Sequence, residues 1–196
     1  MNPVLTKQTW RERMRDQLKS LSSSDVAQRS ASIWERLAVL TEFVSAQGLL
    51  IYVSRGNEVA THGLIRQLLA MGKRVTVPSF DGAAGHYVAS ELTDFDGELV
   101  GGRFGILEPG QTHVRAVDAN KLDALLVPGL AFDGNGNRIG RGMGFFDRLL
   151  REARGTKIAL AYDFQLLNEV PADAHDVRMD FIVTEKRVVS SKGIDE

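Results

Sequence analysis

One stretch of the chain concentrates residues able to grip an anion. It reads Pro128-Gly129-Leu130-Ala131-Phe132-Asp133-Gly134-Asn135-Gly136-Asn137-Arg138-Ile139-Gly140-Arg141-Gly142-Met143-Gly144-Phe145-Phe146-Asp147-Arg148. Glycines at 134, 136, 140, 142 and 144 leave the backbone uncrowded by Cβ atoms, so that amide groups can approach a ligand closely. Consecutive N–H groups ahead of a helix N-terminus make a cradle for negative charge. Arg138, Arg141 and Arg148 interleave positive charge, and the planar guanidinium fork suits phosphate oxygens better than an ammonium does. The spacing is G-x-G-x-G with no GKS or GKT, so the run is neither a Walker loop nor a dinucleotide fingerprint. The plain alternative is a glycine-rich β-turn whose arginines are merely solvated. Interleaved arginines, the closing Asp147 and a position between strand and helix favour phosphate, and a nucleotide phosphate in particular.

Other charged residues join this run only as candidates. Lys7 and Arg11 stand four apart on a predicted helix, and the spacing alone reads as a solvated face. Glu58 follows a predicted strand and could equally steady its loop or the helix start near Thr61. Asp147 could cap its helix or pair with Arg151, and Asp176 could pair with Arg178. The scattered histidines 62, 86, 113 and 175 are given no catalytic role. The absence of cysteine excludes a disulfide framework, thiolate catalysis and cysteine-ligated metals, and fits a reducing cytoplasm. Lys plus Arg number 24 against 25 Asp plus Glu, a net charge of −1, so any anion site must be local. A general nucleic-acid or membrane-surface binder is not expected on that balance.

These residues need a scaffold, and the 196-residue chain is long enough for one domain with a substantial core, 1–196, with 1–6 and 190–196 expected to fray. No apolar run reaches the roughly 18 residues of a membrane span, and the first residues lack an apolar signal region. Thr6–Leu21 reads as a helix from Trp10, Met14, Leu18 and Leu21, and a second helix runs from the Ser22–Asp25 caps to about Leu40. Gly48–Val53, Lys73–Pro78, Leu122–Val127, Lys157–Tyr162 and Phe181–Thr184 are short apolar runs that read as buried strands. Thr61–Ala70 and Gly144–Arg154 read as helices between them. Ser79–Asn120 has no clear period, beyond a weak alternation at His86–Leu92. Alternating strands and helices predict a three-layer α/β/α fold with a mostly parallel sheet, of the doubly wound sugar-isomerase or CoA-transferase kind. Ligands in such folds collect beyond the carboxyl ends of strands, where the glycine-rich run falls.

The run closely resembles the signature of 5-formyltetrahydrofolate cyclo-ligases, the methenyltetrahydrofolate synthetases of one-carbon metabolism. Further matches follow in family order: Lys7-Gln8-Thr9-Trp10-Arg11, Tyr52-Val53-Ser54 through Asn57-Glu58-Val59-Ala60-Thr61, Gly72-Lys73 with Val77-Pro78, Leu107-Glu108-Pro109, and Gln165 with Val170-Pro171 and His175-Asp176. The resemblance implies ATP and a reduced folate as partners, Mg²⁺ as cofactor, and a monomer or weak homodimer. It implies catalytic roles for Arg138 and Arg141, and ATP contacts from Lys7, Arg11, Arg138, Ile139, Gly140, Arg141, Gly142, Met143, Gly144, Phe145, Phe146 and Gln165. Folate contacts are implied for Val53, Glu58, Arg141, Gly142, Met143, Gly144 and Phe145, and metal ligation for Asp147 and Asp176. The implied reaction phosphorylates the formyl oxygen of 5-formyltetrahydrofolate, after which N10 attacks and 5,10-methenyltetrahydrofolate, ADP and phosphate form. Phe145-Phe146 and Met143 depart from the usual tyrosines and glycine or lysine, which motivates a second reading, a non-catalytic binding paralogue. A sugar-phosphate or CoA-thioester enzyme of the same fold is a third.

Overall fold

The computed structural model describes residues 6–142, 145–174 and 176–191, and the backbone alone at Phe145. The elements in chain order begin with α1 (Lys7–Lys19), α2 (Ser23–Leu37), α3 (Thr41–Val44), β1 (Gly48–Ile51), α4 (His62–Ala70), β2 (Arg74–Asp81) and β3 (His86–Leu92). Next come α5 (Phe95–Glu98), β4 (Leu99–Gly101), β5 (Leu107–Pro109), β6 (Ala116–Val117), β7 (Ala124–Val127), β8 (Ala131–Asp133) and β9 (Arg138–Ile139). The chain then forms α6 (Phe145–Glu152), β10 (Thr156–Leu160), β11 (Leu166–Leu167), β12 (Phe181–Val183) and β13 (Val188–Ser190).

The main sheet has eight strands in the order β13-β12-β10-β7-β1-β2-β3-β6. Its centre, β12-β10-β7-β1-β2, is parallel, and β13, β3 and β6 add antiparallel edges. The apolar runs read as strands have both faces covered. Leu49, Ile51, Leu126, Ile158 and Leu160 point to one layer with Met14, Leu18, Ile33, Leu37 and Ile65 of α1, α2 and α4. The alternate residues Leu50, Leu125, Val127 and Ala159 meet Leu149, Leu150 and Ala153 at α6 on the other side. Each fully buried large aliphatic side chain contributes roughly 1.5–3 kcal/mol, which is why runs with no polar face become central strands.

Two departures from the sequence reading bear on the site. Pro78 does not end its strand, because β2 continues to Asp81 in an antiparallel pair with β3. Pairing with β1 stops at Thr76, so beyond that point β2 has a partner on one side only and tolerates a residue without an N–H. The stretch from Ser79 to Asn120, unreadable by period, folds into the outer half of that hairpin and the small β4–β5 ribbon.

Candidate active site

Three loops at the carboxyl ends of β1, β7 and the β8–β9 hairpin meet in an open cleft. Its walls include Tyr52, Val53 and Glu58 after β1, Pro128 and Gly129 after β7, and Arg138, Gly140, Arg141, Gly142, Phe146 and Asp147 from the glycine-rich run. Pro78, Tyr87, Ile106 and Glu108 close the far end.

The glycine-rich run proves to be two units. Its first half is a hairpin turn held by Asp133, which is fully buried and accepts hydrogen bonds from Asn135 N and Asn137 N (both 3.0 Å), Asn137 Nδ2 (2.9 Å) and Val170 N (3.0 Å). Gly136 turns that hairpin at φ +80°, and a Cβ there would meet the Met179 carbonyl at 2.3 Å. Gly134 and Gly136 therefore build the fold and do not line the cleft, contrary to a cradle formed by the whole run. Beyond Pro128 and Gly129, the part of the run that lines the cleft begins at Arg138. Arg148 also leaves the anion cluster: it pairs with Glu152 at 2.9 Å, one turn on along α6, both half exposed.

The charged candidates meet in three internal pairs. Arg138, 8% exposed in its side chain, bonds the Pro128 carbonyl at 3.1 Å and pairs with Asp147. Burial pulls the Arg138 pKa downward, while the carboxylates of Asp147 and Asp176 act in the opposite direction. Arg141 donates from Nε and Nη2 to Glu58 Oε1 at 2.8 and 2.6 Å. Lys7 reaches Asp173 and Asp176 at 2.6 Å each. Burial alone would lower the Lys7 pKa, but its bonds to the two aspartates prevail and raise it. The simpler expectations of an Asp147–Arg151 pair, an Asp176–Arg178 pair and a solvated Lys7–Arg11 face are thus replaced by contacts across the fold.

Helix α1 supplies a cationic edge because Lys7, Arg11, Arg15 and Lys19 recur every four residues, while Met14 and Leu18 are buried. Arg11 Nε bonds the Gly140 carbonyl at 3.0 Å, and Arg15 Nη2 bonds the Arg141 carbonyl at 3.3 Å. Arg15, Lys19, Arg55 and Arg141 also line a basic groove that continues the cleft past Glu58.

Two implied ATP contacts lie elsewhere than expected. Gln165 is buried; its amide donates to the Gly129 and Leu130 carbonyls (2.9 and 3.1 Å) and accepts from Tyr162 N (2.9 Å). That side chain braces the loop from behind, and a nucleotide contact through it needs this bracket to break. Ile139 is buried in the core, leaving only its backbone to face a ligand. Met143, Gly144 and the Phe145 side chain lie outside the described residues. Val53 and Phe146 line the cleft. The sequence reading missed Tyr87 and Glu108 as site residues, although Leu107-Glu108-Pro109 was among the matched motifs; Arg15 and Arg55 carried no signal beyond charge.

Among the described residues, no group of three or more acidic or histidine side chains forms a ready metal cage. Asp147 and Asp176 both act on Arg138, however, and a magnesium ion arriving with phosphates needs only one or two carboxylates. The donor set fits that arrangement.

Fold and cleft together define an α/β domain with arginines and apolar walls in one cleft at the carboxyl ends of its strands. Residues 4–185 match the 5-formyltetrahydrofolate cyclo-ligase family. A 5-formyltetrahydrofolate cyclo-ligase of Mycolicibacterium smegmatis is 38% identical over 148 residues, covering 74% of this chain and 76% of its own. The mouse enzyme of the same name is 28% identical over 89% of this chain and 91% of its own. The solved 5,10-methenyltetrahydrofolate synthetase of Aquifex aeolicus superposes with a TM-score of 0.86 at 30% identity, over 98% of this chain and 96% of that one. The chain belongs to the 5-formyltetrahydrofolate cyclo-ligase family and is a ligase.

Proposed function

We propose that the cleft carries out the ATP-dependent conversion of 5-formyltetrahydrofolate to 5,10-methenyltetrahydrofolate. The observation that carries this reading is the meeting of Arg138, Arg141 and Glu58 in one cleft, with Arg11 bonded to the loop between the two arginines. A formamide is a poor electrophile, and phosphorylation makes its oxygen a leaving group. The formyl oxygen attacks the γ-phosphorus and the bond to ADP breaks. N10 then attacks the activated formyl carbon and loses its proton, and the carbon–oxygen bond breaks to release phosphate. In this reading Arg138 and Arg141 spread charge on the transferring group, which is where such reactions gain most. Glu58 holds the folate and takes the N10 proton. Asp147 and Asp176 would hold Mg²⁺, which when bound helps to neutralise the ATP phosphates. Lys7 and Arg11, with the Gly140–Gly142 backbone, complete the nucleotide side. The groove of Arg15, Lys19 and Arg55 suits the glutamate carboxylates of the folate.

In this reading the chain acts as one domain, as a monomer or weak homodimer. The cysteine-free composition supports a cytoplasmic setting, and the net charge of −1 supports a protein without a general nucleic-acid or membrane-surface partner; no described helix is long and apolar enough to cross a membrane. The test mixes purified protein with 5-formyltetrahydrofolate and Mg-ATP and follows methenyl absorbance together with ADP release. Neither product appearing refutes the proposal.

A further inference from the structure

Two glutamates are buried among the described residues, and they are treated differently. Glu98 is neutralised by Arg115 at 2.5 Å and also accepts from Thr93 N and Oγ1. Glu108 is 6% exposed and lines the cleft, and among the described residues no lysine or arginine forms an ion pair with it. Its hydrogen bonds come from neutral donors: Tyr87 OH to Oε1 at 2.8 Å, and Phe80 N to Oε2 at 3.1 Å. A carboxylate oxygen accepts about two hydrogen bonds, so each oxygen retains an acceptor direction. Arg103 stacks on the Phe80 ring nearby but makes no ion pair with Glu108, so its remaining acceptor directions are left for donors from a ligand.

The surroundings fix this carboxylate in place. Gly102 lies against it, and a Cβ at that position would sit 2.7 Å from Glu108 Cγ and 2.8 Å from Cδ. Strand β5 sets the backbone of Glu108 opposite Val100, and the Tyr87 ring packs edge-on against Phe80. Burial first, and then its bond to Glu108, pushes the Tyr87 phenol well above its ordinary range, so it remains a donor throughout the working pH range. The result is a rigid pair of acceptors at the end of the cleft formed by Pro78, Ile106 and Tyr87, on apolar walls suited to a flat ring.

A 2-amino-4-oxopyrimidine ring carries the complementary pattern, with N3–H and the 2-amino group as adjacent parallel donors. We infer that Glu108 is a specificity-determining residue that receives this donor edge of the pterin, with Tyr87 positioning its carboxylate. The inference rests on the reading of the cleft as a folate site. It adds a ring-recognition point at the end of the cleft lined by Tyr87, to which the resemblance assigned no role.

The experiment compares equilibrium binding of 5-formyltetrahydrofolate and of its 2-desamino-2-methyl analogue, which lacks one donor, to wild type, Glu108→Gln and Tyr87→Phe. Wild type prefers the natural ligand by about 10²-fold or more, since a site built around a hydrogen bond strongly rejects a ligand lacking it. Glu108→Gln turns one acceptor into a donor and lowers that preference at least tenfold. Tyr87→Phe leaves the carboxylate in place and lowers it less. A purely structural role for Glu108 weakens both ligands equally, and an unchanged preference in Glu108→Gln with wild-type melting overturns the inference alone. If Glu108→Gln melts early, the ratio is measured at a temperature where it is folded, and the same criterion applies. Wild type that neither binds nor converts 5-formyltetrahydrofolate overturns the folate reading and this inference with it.

Discussion

Replacing Arg138 by alanine separates catalysis from folding, because the structure assigns very different sizes to the two effects. In the folded state Arg138 gives up hydration to sit 8% exposed, and in return bonds Pro128 O and Asp147. Removing it forfeits charged hydrogen bonds of about 1.5–3 kcal/mol each, offset by relief of a buried guanidinium's desolvation. The remaining Asp147 is 50% exposed and can be rehydrated. The net loss of stability is therefore about 1–2 kcal/mol, or roughly 2–8 °C in Tm for a chain of this size. On the reaction, an arginine aimed at a transferring phosphoryl group contributes on the order of 10²–10³-fold or more. We expect kcat/KM for ATP to fall by about that factor in Arg138→Ala, with Arg138→Lys intermediate because charge survives without the fork. Methenyl absorbance against ATP concentration, with thermal melts on the same samples, makes the comparison. Activity within threefold of wild type, or activity that merely tracks the folded fraction, refutes the reasoning.

Gln165→Leu strips three hydrogen bonds from the buried bracket behind Gly129, and is expected to lose about 3 kcal/mol, read as a Tm lower by roughly 6–12 °C. Gly136→Ala forces a Cβ against the Met179 carbonyl at positive φ, and urea unfolding should show a loss above about 3 kcal/mol or no soluble protein. Burial alone would raise the Glu98 carboxyl, but bonds from Arg115 and Thr93 hold it at about 2, below its ordinary 4.5. Its contribution is thus present above pH 4.5 and lost as pH falls toward 2. Arg115→Ala should flatten that part of the stability–pH curve measured by urea titration.

The central sheet was legible in the sequence because GLLI, ALLV and TKIAL carry apolar residues on both faces, which only an interior parallel strand requires. Of the outer strands, β3 showed only as the weak alternation of His86–Leu92, and β6, two antiparallel residues that are partly exposed, left no pattern. Pro78 misled for a related reason: a local rule about proline takes no account of where a neighbouring strand ends. The glycine-rich run was located correctly but read as one device, because glycine count does not distinguish a hairpin turn from a ligand loop. Pairings such as Arg141 with Glu58, 83 residues apart, depend on strand order and have no local signature. Glu108 was visible as a motif residue, while the absence of a lysine or arginine ion-paired with it among the described residues emerged only from the fold.

The bonds from α1 to the glycine-rich loop have a consequence for how the protein is made. Arg11 waits for Gly140, 129 residues later, and Lys7 for Asp176, 169 residues later. At a ribosomal pace of about 5–20 residues per second, the first of these gaps lasts roughly 6–26 s. Through that interval Met14 and Leu18 have no finished sheet to cover them, so the nascent chain carries a sticky amphipathic helix ahead of it. Such distant pairings also make closure slow. Helix α1 thus precedes its loop partners by more than a hundred residues and is among the last elements able to dock, and a chain truncated before Gly140 leaves it without them.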